Sequence, residues 1–118
     1  MVFYKKRFKA RSRPRHEPGK MNKTEEKYAW ILASEKNAGK IEHWEFEPIK
    51  FRLAKRTYYT PDFMVVKNGF IEIHEVKGGG PIEDDSLVKF KTAAEKFWMF
   101  KFFMMRFKDN NWSVFLEY

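Results

Sequence analysis

The order of hydrophobic patterns along the chain predicts an α/β sandwich, a mixed central sheet flanked by a helix on each side. Three observations carry that expectation. Asn68-Gly69 separates two alternating runs, "DFMVV" and "FIEIHEVK", and this dipeptide is the strongest short hairpin signal. A helical pattern, "DDSLVKFKTAAEKFW", then links the hairpin to an apolar run, "MFKFFMMRF". A strand–helix–strand connection of this kind is right-handed and leaves its two strands parallel. A capped helical segment precedes them all.

That first helix occupies "NKTEEKYAWILASEKNAGK". Asn22 caps it, Glu25 at the third helical position completes a capping-box pair, and Gly39 stands where a helix stops. At about 100° per residue, Glu25, Tyr28, Ala29 and Leu32 share one stripe, while Glu26 falls toward Trp30 and Ala33. Next, "IEHWEFEPIKFRL" alternates and reads as one strand, broken or bulged at Pro48, and "AKRTYY" follows as a basic connector. On the second hairpin strand Ile71, Ile73, Glu75 and Lys77 point one way, and Phe70, Glu72, His74 and Val76 the other. Gly78-Gly79-Gly80-Pro81 ends it as a flexible loop. The second helix takes its cap from Asp84, Asp85 or Ser86 and aligns Leu87, Phe90, Ala94 and Phe97. "MFKFFMMRF" suits a strand buried on both faces, and Asp109-Asn110-Asn111 turns the chain into a last strand, "WSVFLEY". The expected order is helix, three strands, helix, strand, strand, with no internal repeat.

A chain of 118 residues supports one core, and 13 Phe and 4 Trp supply the apolar material for it. The absence of cysteine excludes a disulfide framework or a thiolate metal site. No apolar run reaches the length of a membrane span, and the N-terminus lacks the apolar block of a signal peptide. The expectation is a soluble, cytoplasmic protein with no membrane partner. Charge is unevenly placed: residues 1–20 hold eight Lys/Arg against one Glu, and the remainder holds 16 basic and 15 acidic residues. With two prolines and no period, residues 1–20 read as a basic arm, and 21–118 as the folded domain. Such an arm attracts a polyanion, of which nucleic acid is the commonest; the plainer alternative is a solubility tail. Candidate DNA contacts are Lys5, Lys6, Arg7, Lys9, Arg11, Arg13 and Arg15 in the arm. Arg52, Lys55 and Arg56 on the approach to Asp62, and Lys89 on the second helix, extend the set.

Asp62 opens one hairpin strand and Glu75 nearly closes the other. Pairing about Asn68-Gly69 sets them opposite, and facing carboxylates destabilise a sheet unless a cation holds them. A divalent metal, or Lys77 two positions along the same face, supplies that compensation. Mg²⁺ takes oxygen ligands, one or two carboxylates among them, and keeps several waters. A lysine beside it can orient or deprotonate an attacking water, since burial lowers a lysine's pKa. His74 points away from Glu75 and reads as packed, and His43 lacks a partner at metal-site spacing.

Pro61-Asp62, a spacer, then Glu75-Val76-Lys77 resembles the PD-(D/E)XK nuclease signature. The stretches "KTEEKYAWIL", "YTPDF", "EIHEVKG" and "DDSLVKFKTAAEKF" look like small phage-encoded nucleases of that superfamily, usually compared with endonuclease I-type Holliday-junction resolvases. The resemblance spans residues 22–107 and implies a restriction-endonuclease-like αβββαβ core. It further implies that Asp62, Glu75 and the Val76 carbonyl bind Mg²⁺ or Mn²⁺, with Glu25 as a further candidate ligand. Lys77 would be the catalytic lysine and Glu25 the first-helix acid. The implied activity is DNA endonuclease, on branched or junction DNA, in a bacterial or phage-infected cytoplasm. Resolving a junction takes two cuts, which implies a homodimer. Asp84 and Asp85 either touch the site or cap the second helix; capping is the expectation. The rival from another class is a catalytically silent DNA-binding protein that keeps the fold.

Overall fold

In the computed structural model, which describes residues 17–118, α1 (Lys23–Asn37) starts through its side chains. Asn22 Oδ1 accepts the Glu25 N–H at 2.8 Å, and Glu25 Oε1 accepts the Asn22 N–H at 2.9 Å. This reciprocal capping box satisfies two donors that a helix start leaves open. Tyr28 and Leu32 are its buried apolar residues, and Gly39, at φ 76°, lets the chain leave the helix.

The segment expected as one strand is two strands in different sheets. β1 (His43–Phe46) lies at an edge of the main sheet. Glu47 then takes a left-handed conformation, φ 50°, while its N–H still donates to the Asp62 carbonyl at 2.8 Å. Pro48 follows without an N–H to continue a ladder, so the chain leaves the sheet rather than bulging. β2 (Phe51–Ala54) and β3 (Thr57–Tyr59) form a separate two-stranded sheet, turned at Lys55 and Arg56. The basic connector is thus half of a hairpin. Its turn has no glycine or asparagine; Arg56 itself adopts φ 57°.

β4 (Phe63–Lys67) and β5 (Phe70–Lys77) pair antiparallel about Asn68-Gly69, both at positive φ. The Glu42 carboxylate accepts both turn amides, Asn68 N–H and Gly69 N–H, at 3.0 Å each, tying the tip to the start of β1. α2 (Asp84–Lys96) carries the chain to β6 (Lys101–Lys108), which runs parallel to β5, and β7 (Asn111–Glu117) returns antiparallel. The main sheet has the order β1-β4-β5-β6-β7. Among the described residues the fold is α/β, with a mixed five-stranded sheet, a two-stranded hairpin and two helices. The cap of α2 differs from expectation: Glu83 holds the N-cap position with no side-chain cap bond, and Asp84 and Asp85 fall in the first turn. There their charge favours the positive end of the helix dipole.

Alternation along the strands splits the core in two. On one face Tyr28, Leu32 and Ile41 pack against Phe63, Val65 and Val76. On the other, Phe90, Ala93 and Ala94 of α2 join Ile73, Phe102 and Met104, and the β2–β3 hairpin adds Phe51 and Tyr59. In β6, Phe102 and Met104 are fully buried while Phe103 and Met105 are half-buried, so burial on both faces is only partly realised. Phe63 lies within 5.3–5.9 Å, ring to ring, of Tyr28, Trp44 and Phe46. Phe63→Ala is expected to cost about 3–5 kcal/mol in urea unfolding followed by circular dichroism.

Candidate active site

Phe63 pairs with His74, so one step outward the end of β4 brings Asp62 level with Glu75. Asp62 Oδ2 accepts the Val76 N–H at 2.8 Å. Glu75 is held at both oxygens: Oε1 accepts the Tyr59 hydroxyl at 2.6 Å, and Oε2 pairs with Lys77 Nζ at 3.3 Å. Glu25 arrives from the first turn of α1, close enough to Asp62 for its charge to act on the Asp62 carboxyl. Glu25, Asp62 and Glu75 are only 6–8% exposed, whereas Glu26 faces solvent, as its position on the helical wheel predicts.

Three buried acids repel, and the proton affinity of Asp62 records it. Burial raises the Asp62 carboxyl well above its usual range, and the charges of Glu75 and then Glu25 add to this; the Val76 N–H works against it. Burial also raises Glu75, with Lys77 and Tyr59 opposing. Tyr59 is itself raised by burial and by Glu75, so it remains a neutral donor. A cleft of about 230 Å³ opens beside the cluster, lined by Pro18, Glu25, Glu47, Thr60 and Asp62. Gly19 N–H donates to Glu47 Oε1 at 3.0 Å, so part of the stretch read as an arm forms a wall of this cleft.

The other candidates spread outward. Arg52, Lys55 and Arg56 are exposed on the β2–β3 hairpin, whose last residue is Tyr59. Lys89 sits on α2, its Nζ 4.0 Å from Asp85 Oδ2, and Asp84 and Asp85 are exposed. Lys5, Lys6, Arg7, Lys9, Arg11, Arg13 and Arg15 lie outside the described residues. His74 is packed, as its strand face predicts: Nδ1 bonds the Tyr28 hydroxyl at 2.6 Å and Nε2 bonds Glu72 at 2.9 Å. This bond to His74 is also what lowers the Glu72 carboxyl. His43 bonds Glu45 on the exposed edge.

Among the described residues, no group of three or more His, Cys, Asp or Glu side chains is arranged to hold a metal ion. The donors present at the open end of the hairpin are hard oxygens, the carboxylates of Asp62 and Glu75 beside a backbone strand, a pair of the kind used by a cation that takes few protein ligands and keeps its waters. Among the described residues no helix is long and apolar enough to cross a membrane. Comparison with known protein families, with curated proteins and with solved structures finds no match.

Tyr59, Thr60, Glu47 and Pro18 are the site residues that sequence reasoning missed. Tyr59 was hidden because the Lys55-Arg56 turn carries no hairpin signal. Only the spacing of Phe51 and Tyr59, two aromatics across a short basic segment, hints at a pair.

Because both carboxyls are raised, the native state binds more protons than the unfolded chain above the ordinary values of 3.8 and 4.5. Stability therefore falls as pH rises through that window toward the raised native values. In EDTA, Asp62→Asn keeps an acceptor for Val76 N–H and removes a charge. It is expected to flatten this slope and to add on the order of 1 kcal/mol at neutral pH, read by urea unfolding from pH 5 to 8.

Proposed function

We propose that the chain is a divalent-metal-dependent endodeoxyribonuclease of the PD-(D/E)XK type. One observation carries the reading: Asp62, Glu75 and Lys77 converge from a single hairpin and meet Glu25 in a buried acid cluster beside a cleft. The element order supports it. With the β2–β3 hairpin set aside, α1, β1, β4, β5, α2 and β6 follow the αβββαβ sequence.

Asp62, Glu75 and the Val76 carbonyl would hold Mg²⁺ or Mn²⁺, with Glu25 as a further ligand. Tyr59 and Lys77 each engage one Glu75 oxygen, and a carboxylate oxygen has a second lone pair to offer. A divalent cation there supplies an activated water and neutralises charge developing on the phosphate. Lys77, more open to solvent than Glu75, is placed to orient the attacking water or take its proton. Arg52, Lys55 and Arg56 hold backbone phosphates from the exposed hairpin, and Lys89 adds charge from α2. Contacts of this kind read backbone and shape rather than base sequence. The substrate class is branched duplex DNA, such as a junction, cut by a homodimer that provides two sites.

End-labelled four-way-junction, flap and linear duplex DNA are the test, each with Mg²⁺, Mn²⁺ or EDTA. Cleavage is expected with either metal and not in EDTA. Asp62→Ala and Lys77→Ala are expected to lose roughly 100-fold or more of the rate with unchanged circular dichroism. Binding without cutting on every substrate would instead identify a catalytically silent DNA-binding protein.

The arm is testable separately. Deleting residues 1–16 removes seven Lys/Arg but leaves Gly19 on Glu47. DNA affinity is expected to weaken, and the slope of log K against log salt to flatten by about 0.9 for each phosphate that the arm no longer neutralises. Unchanged affinity and slope would exclude the arm from DNA binding.

A further inference from the structure

The α2-face core contains Phe51, Tyr59, Ile73, Phe90, Ala93, Ala94, Phe102 and Met104, and the Tyr59 hydroxyl is the one polar side-chain group in that set. Its ring needs no hydroxyl to pack: it stacks near-parallel on Phe51 at 6.5 Å between centroids. Phenylalanine, which the chain uses 13 times, would fill the same space. The hydroxyl instead reaches Glu75 Oε1 at 2.6 Å, the shortest of the contacts holding the acid cluster. Lys77 engages the other oxygen.

We infer that Tyr59 is a positioning residue for Glu75, and that the β2–β3 hairpin is the element that carries it to the site. The terminal torsion of a glutamate is broad, so a single partner leaves the carboxylate free to swing. Two partners on its two oxygens fix it. Lys77 is partly solvent-exposed on a flexible stem, whereas Tyr59 is buried and its ring is locked in a core. The tyrosine is therefore the fixed support and the lysine the adjustable one. Hydrogen-bond partners behind a metal ligand set its orientation and affinity, and their removal typically weakens metal binding about 10- to 100-fold. The hairpin lies outside the main sheet, and its second strand ends at this residue.

This inference rests on the nuclease reading, and the experiment separates the two. Mn²⁺ binding to the full chain is measured by calorimetry for wild type, Tyr59→Phe, Glu75→Gln and the double variant, with junction cleavage across a Mn²⁺ titration and the thermal midpoint alongside. Tyr59→Phe is expected to bind Mn²⁺ about 10- to 100-fold more weakly and to regain cleavage at high Mn²⁺. In the Glu75→Gln background the second substitution is expected to weaken binding no further. Where Tyr59→Phe fails to fold, 4-fluorophenylalanine at position 59 fills the space without donating, and the same weakening is expected. A lowered thermal midpoint with wild-type Mn²⁺ affinity would overturn the inference and leave the nuclease reading intact. A wild type that neither binds Mn²⁺ nor cuts would overturn both.

Discussion

The register of β4 against β5 is the constraint on which the rest of the structure depends. It is fixed at the tip, where Asn68 and Gly69 take positive φ and the Glu42 carboxylate binds both of their amides. It is read out at the open end, where Asp62 meets the Val76 N–H. Side chains alternate with period two, so a slip of one residue would turn every β5 side chain to the opposite face relative to its partners. Ile73 would leave the α2 core, Val76 the α1 core, and Asp62 would be parted from its amide. One turn thus specifies both hydrophobic layers and the acid cluster.

The cluster is costly, and its partners show how the cost is distributed. A buried carboxylate is tolerated only when paired or hydrogen-bonded. Here each acid has its own partners: Asn22 N–H for Glu25, Val76 N–H for Asp62, and Tyr59 with Lys77 for Glu75. These contacts leave an imbalance, since burial still raises Asp62 and Glu75. A buried ion pair is weak grounds for stability, because well-packed apolar residues often do as well or better. A hairpin selected for stability alone would place β-branched residues at its open end. The acids at 62 and 75 add little to the stability of the hairpin, which is the ground on which a ligand is proposed for them.

What the sequence made legible follows from where local chemistry was decisive. The capping box at Asn22 and Glu25, the turn at Asn68-Gly69 and the apolar stripe of α2 each have residues whose conformational preference is strong, and all three elements stand where their patterns put them. Glu25 was separable from Glu26 because a helix converts spacing into direction. The β2–β3 hairpin was not legible, since its turn uses Lys55 and Arg56, with Arg56 at φ 57°. The interruption after β1 was legible in Pro48, but not that the two halves enter different sheets, with Glu47 left-handed while its N–H still donates to the Asp62 carbonyl. In both places tertiary packing overrides local preference. The acids were therefore found, and the tyrosine that steadies one of them was not.

The two faces of the sheet contribute unequally to the cluster, and this ties the site to the whole fold. Glu25 comes from α1, whose core packs on Phe63, Val65 and Val76. Glu75 follows Ile73 on the other face, where Tyr59 is set by Phe51 and α2. Asp62 links the two sides: it accepts the Val76 N–H and feels the charges of Glu75 from one side and Glu25 from the other. Neither core alone can assemble the three carboxyls: α1 must be docked to deliver one, and the hairpin and α2 must be docked to orient another. Rigid elements locked by packing hold functional groups more tightly than loops do. A mutation deep in either layer, far from Asp62, therefore loosens the cluster from its own side, and the two layers meet only at the open end of the hairpin.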